Sequence, residues 1–222
     1  MKVIGIIPIK LNNQRLPGKN LRKLGNRLLC QYLFSTISKV NNIDEVYVYC
    51  SDESICSYIP EGIHFLKRPK ALDTNETKST DILNAFINNV NADIYALCHV
   101  TQPFIKCQTI ENAINQVING NHDSAFTAHQ ITEFTWFRGK PLNYSLDNVV
   151  QTQKLESIYT EGELFVFKKE VFTKMGRRIG DTPYIQPISW KENVCIDDIN
   201  DFHLAEAVVA LGDIYDEKSC DD

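Results

Sequence analysis

Along the first half of the chain, short apolar runs alternate with longer stretches in which apolar residues recur at helical spacing. The runs are KVIGIIP at 2–8, EVYVYCS at 45–51, IHFL at 63–66 and DIYALCHV at 93–100, and the helical patterns cover 28–40, 53–59, 79–90 and 109–118. In the last of these, Ile110, Ala113, Ile114 and Val117 fall at i, i+3, i+4 and i+7, and Gly120 supplies a stop. Strands that are apolar throughout, separated by amphipathic helices, are what a parallel sheet covered on both faces requires. The pattern therefore predicts an α/β fold: a Rossmann-like, mostly parallel sheet with helices on both faces.

From about residue 123 the pattern changes to DSAFTAHQ, FTWFRGKPLNY and ELFVFKKEVF, which are aromatic-rich, β-prone and punctuated by Gly139 and Pro141. Residues 130–160 read as an inserted arm or hairpin, after which 163–168 returns as a strand. DTPYIQPISW carries two prolines and can form an edge strand at most. A final helix is predicted over 199–213, with Phe202, Ala205, Val209 and Leu211 on its apolar side. At 222 residues the chain fits a single domain with an insertion, and only the acidic end YDEKSCDD reads as disordered.

Composition narrows the partners. A formal charge of −5 argues against a nucleic acid or a membrane surface, because both need a dominant basic field. The opening apolar run is too short to span a bilayer and lacks a small-residue cleavage site. Seven cysteines without a CxxC pair support neither a disulfide scaffold nor a zinc ribbon and fit a reducing cytoplasm.

Against that acidic background IPIKLNNQRLPGKN, at 7–20, gathers Lys10, Arg15 and Lys19 around one Pro-Gly turn, with Arg22 just beyond. Open sheets bind ligands at the carboxyl ends of their parallel strands. Chain order puts this loop there, together with CSD at 50–52, KRP at 67–69 and HVTQPF at 99–104. Backbone N–H groups at such a turn, with Lys and Arg side chains, suit a polyphosphate; a solvated basic loop is the other reading of the same residues. Neither GxxxxGK[ST] nor GxGxxG is present.

The segment IPIKLNNQRLPGKNLRKLGNRLL resembles the signature of the CMP-sugar synthetases, the acylneuraminate cytidylyltransferases and their Kdo relatives, which runs roughly IPAR-x-GSKR-x-PGKN. VYVYCSDESI, LKRPKAL, ALCHVTQPF and CIDDINDFHLAEA resemble, in the family's order, its SD-x-x-I, RP-x-x-L, LQPTSPL and IDIDTPEDFxxAE elements. The resemblance implies a nucleotide-diphospho-sugar transferase type of fold and a reaction in which CTP and a sugar hydroxyl give CMP-sugar and pyrophosphate. It also implies a homodimer, in which the arm with Trp136, Phe137 and Tyr144 crosses to close the partner's site. By the match Arg15 and Lys19 stabilise the triphosphate and the departing pyrophosphate, Lys10 replaces the family's Arg, and Asn20 sits against the nucleotide. Arg68 and Ser79 correspond to further nucleotide contacts; without the family they read as a surface Arg and a helix N-cap.

Aligned on DF, Asp197 takes the place of the aspartate that holds the catalytic Mg²⁺ (or Mn²⁺), and Cys195 stands where the family has its first aspartate. Asp198 is the substitute ligand, with capping of the last helix as the alternative for it or Asp201. On the sugar side His99 and Thr101 match Gln and Thr of sialic acid enzymes, whereas Kdo enzymes have Asp at the position of Thr101. A histidine titrating near neutrality could help deprotonate the attacking group; a satisfied histidine at a strand end reads equally well. Glu161 replaces the Asn of the family's NGA element and would suit a hydroxyl or amino group.

The expected function is thus transfer of CMP to an acidic, sialic acid-like 2-keto sugar for surface glycan synthesis. A CMP-Kdo-type enzyme or another acceptor is the alternative, and a catalytically silent nucleotide-binding module is the rival from another class.

Overall fold

The central strand organises the rest. In β1 (Val3–Ile9) every second residue faces the same way, and both sets are apolar, so the strand is buried on both sides. The computed structural model describes residues 1–211. Ile4 and Ile6 pack with Leu83, Phe86, Tyr95 and Phe167 in one core; Val3, Ile7 and Ile9 pack with Leu33, Phe34, Ile110 and Ile114 in the other.

The strands are β1, β2 (Lys23–Leu24), β3 (Arg27–Leu28), β4 (Glu45–Cys50), β5 (Ile63–Lys67), β6 (Ile94–Cys98), β7 (Ser124–Ile131), β8 (Trp136–Phe137), β9 (Lys140–Pro141), β10 (Ile158–Lys168) and β11 (Pro183–Pro187). The helices are α1 (Leu29–Ile37), α2 (Ser79–Ile87), α3 (Cys107–Asn119), α4 (Lys169–Met175) and α5 (Ile199–Ala210). The main sheet has seven strands in the order β11-β7-β10-β6-β1-β4-β5. The pairs β1–β4, β4–β5, β1–β6 and β7–β11 are parallel, and β10 runs antiparallel to both neighbours. From β1 the chain steps outward through β4 and β5, then returns to place β6 on the other side. That reversal of order opens a crevice at the carboxyl ends of the parallel strands.

The mostly parallel sheet with helices on both faces is as the pattern predicts, and the proline-bearing strand β11 lies at an edge. Differences are confined to ends and short elements. The pattern at 53–59 forms a 3₁₀ turn, Glu53–Tyr58, capped by Asp52, whose carboxylate accepts from Ser54 N. The strand after the arm begins at Ile158 rather than 163, because β10 pairs with β7 out to Ile131. Helix α5 ends at Ala210 and buries Phe202, Ala205 and Val208 instead of Val209 and Leu211. That set follows helical spacing and faces a third core of Leu16, Leu24, Phe104, Val194 and Ile196. Positions 212 and 213 of the predicted helix, and the acidic end, lie outside the described residues.

This third core positions the site, because it clamps the basic loop, through Leu16, to the segment that leads into α5. Among the described residues no helix is long and apolar enough to cross a membrane.

Candidate active site

The loop after β1 is held by its own backbone. Gly18 adopts φ 67°, a conformation that costs glycine little, and the turn it makes lets Lys19 N donate to Leu16 O at 3.1 Å. Asn20 is buried; its Nδ2 donates to Lys10 O at 2.8 Å while its Oδ1 accepts nothing among the described residues. Lys10 Nζ reaches Asn75 Oδ1 at 3.4 Å, and Asn75 in turn donates to Gln14 Oε1 at 2.9 Å.

Lys19 is 6% exposed, and its ammonium donates to Ile196 O at 2.6 Å. The same nitrogen lies 3.6 Å from Asp197 Oδ1, which also accepts from Arg15 Nη2 at 2.8 Å. Two cations from the first loop thus converge on one carboxylate from the end of the chain, 182 residues on for Arg15. With 46% of its side chain exposed, Asp197 keeps this cluster open to solvent, so incoming phosphate oxygens could reach both cations.

The neighbouring carboxylates serve the helix. Asp198 Oδ1 accepts from Asn200 N at 2.8 Å and Asp201 N at 3.2 Å, while Asp201 Oδ2 accepts from Asp197 N and Asp198 N. This reciprocal cap satisfies the orphan N–H groups of α5. Asp198 thus caps α5 through Oδ1, the role expected as the alternative for it or Asp201. Burial pushes the Cys195 thiol up to about 11, and a hydrogen bond with the Thr101 side chain only partly opposes that, so Cys195 stays protonated and offers no thiolate. Among the described residues there is no cluster of three His, Cys, Asp or Glu side chains placed for a metal.

Arg68 follows β5, is 2% exposed and pairs with Asp73 at 2.7 Å, so it is not a surface arginine. The other oxygen of Asp73 accepts from Ser51 Oγ. Ser51 and Asp73 line a cleft of about 620 Å³ that is bounded by Leu11 and Asn12 of the basic loop and by Lys67 and Lys70, and Arg68 lies behind Asp73. Ser79 is the exposed first residue of α2; the residue before it holds the cap position, so the N-cap reading of Ser79 does not hold.

At the other end of the crevice His99 and Thr101 follow β6. Thr101 O accepts from Ile196 N at 2.8 Å, which ties this loop to Asp197. His99 has 23% of its side chain exposed, and its Nε2 has no hydrogen-bond partner among the described residues. Desolvation, with Arg178 and Lys19 nearby, pushes its pKa down to about 4. The expected titration near neutrality is thus corrected: the ring is neutral and weakly basic at physiological pH, and its 3.8 Å approach to Glu163 is not an ion pair.

Three residues here escape pattern reading. Glu163 stands beside His99. Arg178 stacks 3.6 Å from the Phe165 ring centroid, and its Nη2 lies 4.0 Å from Glu161. Gln102 is buried and accepts from Glu163 N at 3.0 Å. The structure thus brings together Arg15, Lys19, Asp197, His99 and Thr101, with Glu161 near Arg178, whereas Asn20 and Lys10 brace the loop and Arg68 is buried against Asp73, which lines the cleft beside it.

The profile of the family described as cytidylyltransferase matches residues 4–219. Among curated proteins, an N-acylneuraminate cytidylyltransferase of Streptococcus agalactiae serotype III is 23% identical over 218 residues, covering 91% of this chain and 52% of its own. A 3-deoxy-manno-octulosonate cytidylyltransferase of Bdellovibrio bacteriovorus is 27% identical over 134 residues, 60% of this chain and 53% of its own. The chain spans about half the length of the curated relatives it matches. Among solved structures, CMP:2-keto-3-deoxy-manno-octonic acid synthetase complexed with CTP aligns with a TM-score of 0.69 at 16% identity, covering 96% of this chain and all of that one. A 4-diphosphocytidyl-2C-methyl-D-erythritol synthase from Anaerococcus prevotii also gives 0.69, at 14% identity, covering 94% and 98%. These structural likenesses establish the fold, and the profile match over nearly the whole described chain establishes that the protein belongs to the cytidylyltransferase family.

Proposed function

We propose that the chain transfers CMP from CTP to the hydroxyl of an acidic, sialic acid-like 2-keto sugar and releases pyrophosphate. The observation that carries this reading is the meeting of Arg15, Lys19 and Asp197 at the mouth of β1, in the same crevice as His99 and Thr101. The cleft of about 620 Å³ beside the basic loop suits the nucleoside, with the triphosphate extending toward Lys19. In-line attack on the α-phosphorus needs reactants aligned and charge neutralised more than it needs covalent catalysis. Lys19, desolvated and pinned by a carbonyl, and Arg15, more mobile, would hold the oxygens that gain charge as pyrophosphate departs.

Asp197 fits a Mg²⁺ (or Mn²⁺) ion held by one carboxylate with substrate oxygens and water, as this hard cation prefers, and such an ion would add positive charge at the phosphates. Arg178 supports an anionic acceptor, since no hydrogen bond from its guanidinium is made among the described residues and its plane rests on Phe165. Glu161, 4.0 Å from Arg178, is partly neutralised and would take a hydroxyl or amino group. The segment between β7 and β10 exposes Phe134, Trp136, Phe137 and Leu142, which supports a homodimer; a cytoplasmic enzyme feeding a glycosyltransferase completes the reading.

A Kdo-type acceptor is the second reading, favoured by the relatives of that kind. The test is pyrophosphate release from CTP and Mg²⁺ across N-acetylneuraminate, its nine-carbon analogues, Kdo and neutral sugars. Turnover with a nine-carbon acid is expected. Turnover with Kdo alone selects the second reading, and CTP binding without any transfer makes the chain a silent module.

A further inference from the structure

The site lacks an assigned group to take the proton of the attacking hydroxyl, and β10 supplies one. Its register against β7 shifts between Glu161 and Phe165: Glu161 lies opposite Ala128 and Phe165 opposite Phe126, so residues 162–164 face Thr127 alone. Such a bulge bends a strand and re-aims its side chains. This one is built tightly. Gln102 Oε1 accepts from Glu163 N at 3.0 Å, Thr127 Oγ1 accepts from Leu164 N at 3.3 Å, and a Cβ on Gly162 would lie 2.4 Å from Thr127 Oγ1. The result is a carboxylate 3.8 Å from His99 Nε2, with 36% of its side chain exposed and no hydrogen bond to it among the described residues.

We propose that Glu163 is the general base of the transfer: its carboxylate takes the acceptor's hydroxyl proton as that oxygen bonds to the α-phosphorus of CTP. The bond from the α-phosphorus to the bridging oxygen breaks, pyrophosphate leaves with the electron pair, and the proton passes from Glu163 to water. This inference rests on the cytidylyl-transfer reading. The attacking hydroxyl has to lie between the phosphate grip and the acceptor end, and Glu163 is within electrostatic range of both: Lys19 and Asp197 of the grip, Arg178 and Glu161 of the acceptor end, with His99 at 3.8 Å.

The other candidates are committed elsewhere. Asp197 is engaged by Arg15 and Lys19; Asp198 caps α5 through Oδ1; His99 is neutral but poorly basic. Burial, together with the charges of Asp197 and Glu161, raises the Glu163 carboxyl above its usual range, against the lowering effect of Arg178 and Lys19, and Cys195 faces it as an uncharged thiol. A carboxylate so raised is a stronger base than an exposed one.

The test compares the unaltered protein with Glu163→Gln and Glu163→Asp. Pyrophosphate release with CTP, Mg²⁺ and the fastest acceptor of the panel is followed from about pH 5 to about pH 9, and CTP binding is titrated separately. General-base loss predicts that Glu163→Gln lowers kcat about 100-fold or more, removes the acidic limb of the kcat profile and leaves CTP affinity unchanged. Glu163→Asp, which retracts the carboxylate by one methylene, keeps that limb at a reduced kcat. Unchanged kcat with an unchanged limb, or a raised KM alone, overturns the assignment while leaving the transfer reading intact. A wild-type chain that binds CTP but transfers to no acceptor overturns both.

Discussion

His99 makes the stability of the fold depend on pH in a direction that follows from its burial. Its pKa is about 4 in the folded chain against 6.5 for an ordinary histidine. Between those values the unfolded chain takes up a proton that the folded chain refuses, so stability falls as pH drops through the window and is fully retained above it. The gap of about 2.5 units corresponds to roughly 3.4 kcal/mol, and solvent access to part of the ring reduces this to about 2–3 kcal/mol. Glu163 acts in the opposite sense: its raised carboxyl favours the folded state as pH falls from its folded value toward the ordinary glutamate range. Comparison with His99→Gln on the same background isolates the histidine. Urea midpoints at about pH 7.5 and pH 4.5 should show the wild type losing about 2–3 kcal/mol more than the variant. Parallel losses in the two proteins would refute the claim that His99 is held neutral.

Asp73→Ala leaves the guanidinium of Arg68, 2% exposed, without its ion-pair partner, and should cost about 3–5 kcal/mol in urea unfolding; a loss below about 1 kcal/mol contradicts the buried pair. Gly162→Ala drives a methyl group to within 2.4 Å of Thr127 Oγ1, so a cost of about 1–3 kcal/mol is expected together with a lower kcat as the bulge shifts. Wild-type stability and turnover in that variant would mean that the bulge does not aim Glu163.

The strands legible in the sequence are those buried on both faces, because a continuous apolar run as short as VIGIIPI suits a strand covered on both sides and little else. Their order alone placed the basic loop, Arg68 and His99 at one edge. A cap on the last helix by Asp198 or Asp201 was also legible, whereas the reciprocal use of both carboxylates shows only in the fold. Glu163 was not: β10 runs against its neighbours, so its site end is its beginning, where a glutamate ahead of LFVFK looks like a strand border. Arg178 lies in a loop beyond α4 with no periodicity, and only the packing of that loop onto β10 brings it over Phe165. Local spacing likewise could not show that Asp73, five residues on, turns Arg68 inward. The buried stripe of α5 is set by the third core, a tertiary contact that puts Val208 rather than Leu211 inside.

The most direct measurement is CTP binding and pyrophosphate release in Lys19→Met and Asp197→Asn, two variants that preserve side-chain volume. If the two groups jointly manage the triphosphate, Lys19→Met weakens CTP about 10-fold or more, roughly 1.4 kcal/mol, and both variants lose most of their turnover while unfolding cooperatively. Near-normal CTP affinity in Lys19→Met, with near-normal turnover in both variants, would contradict the account.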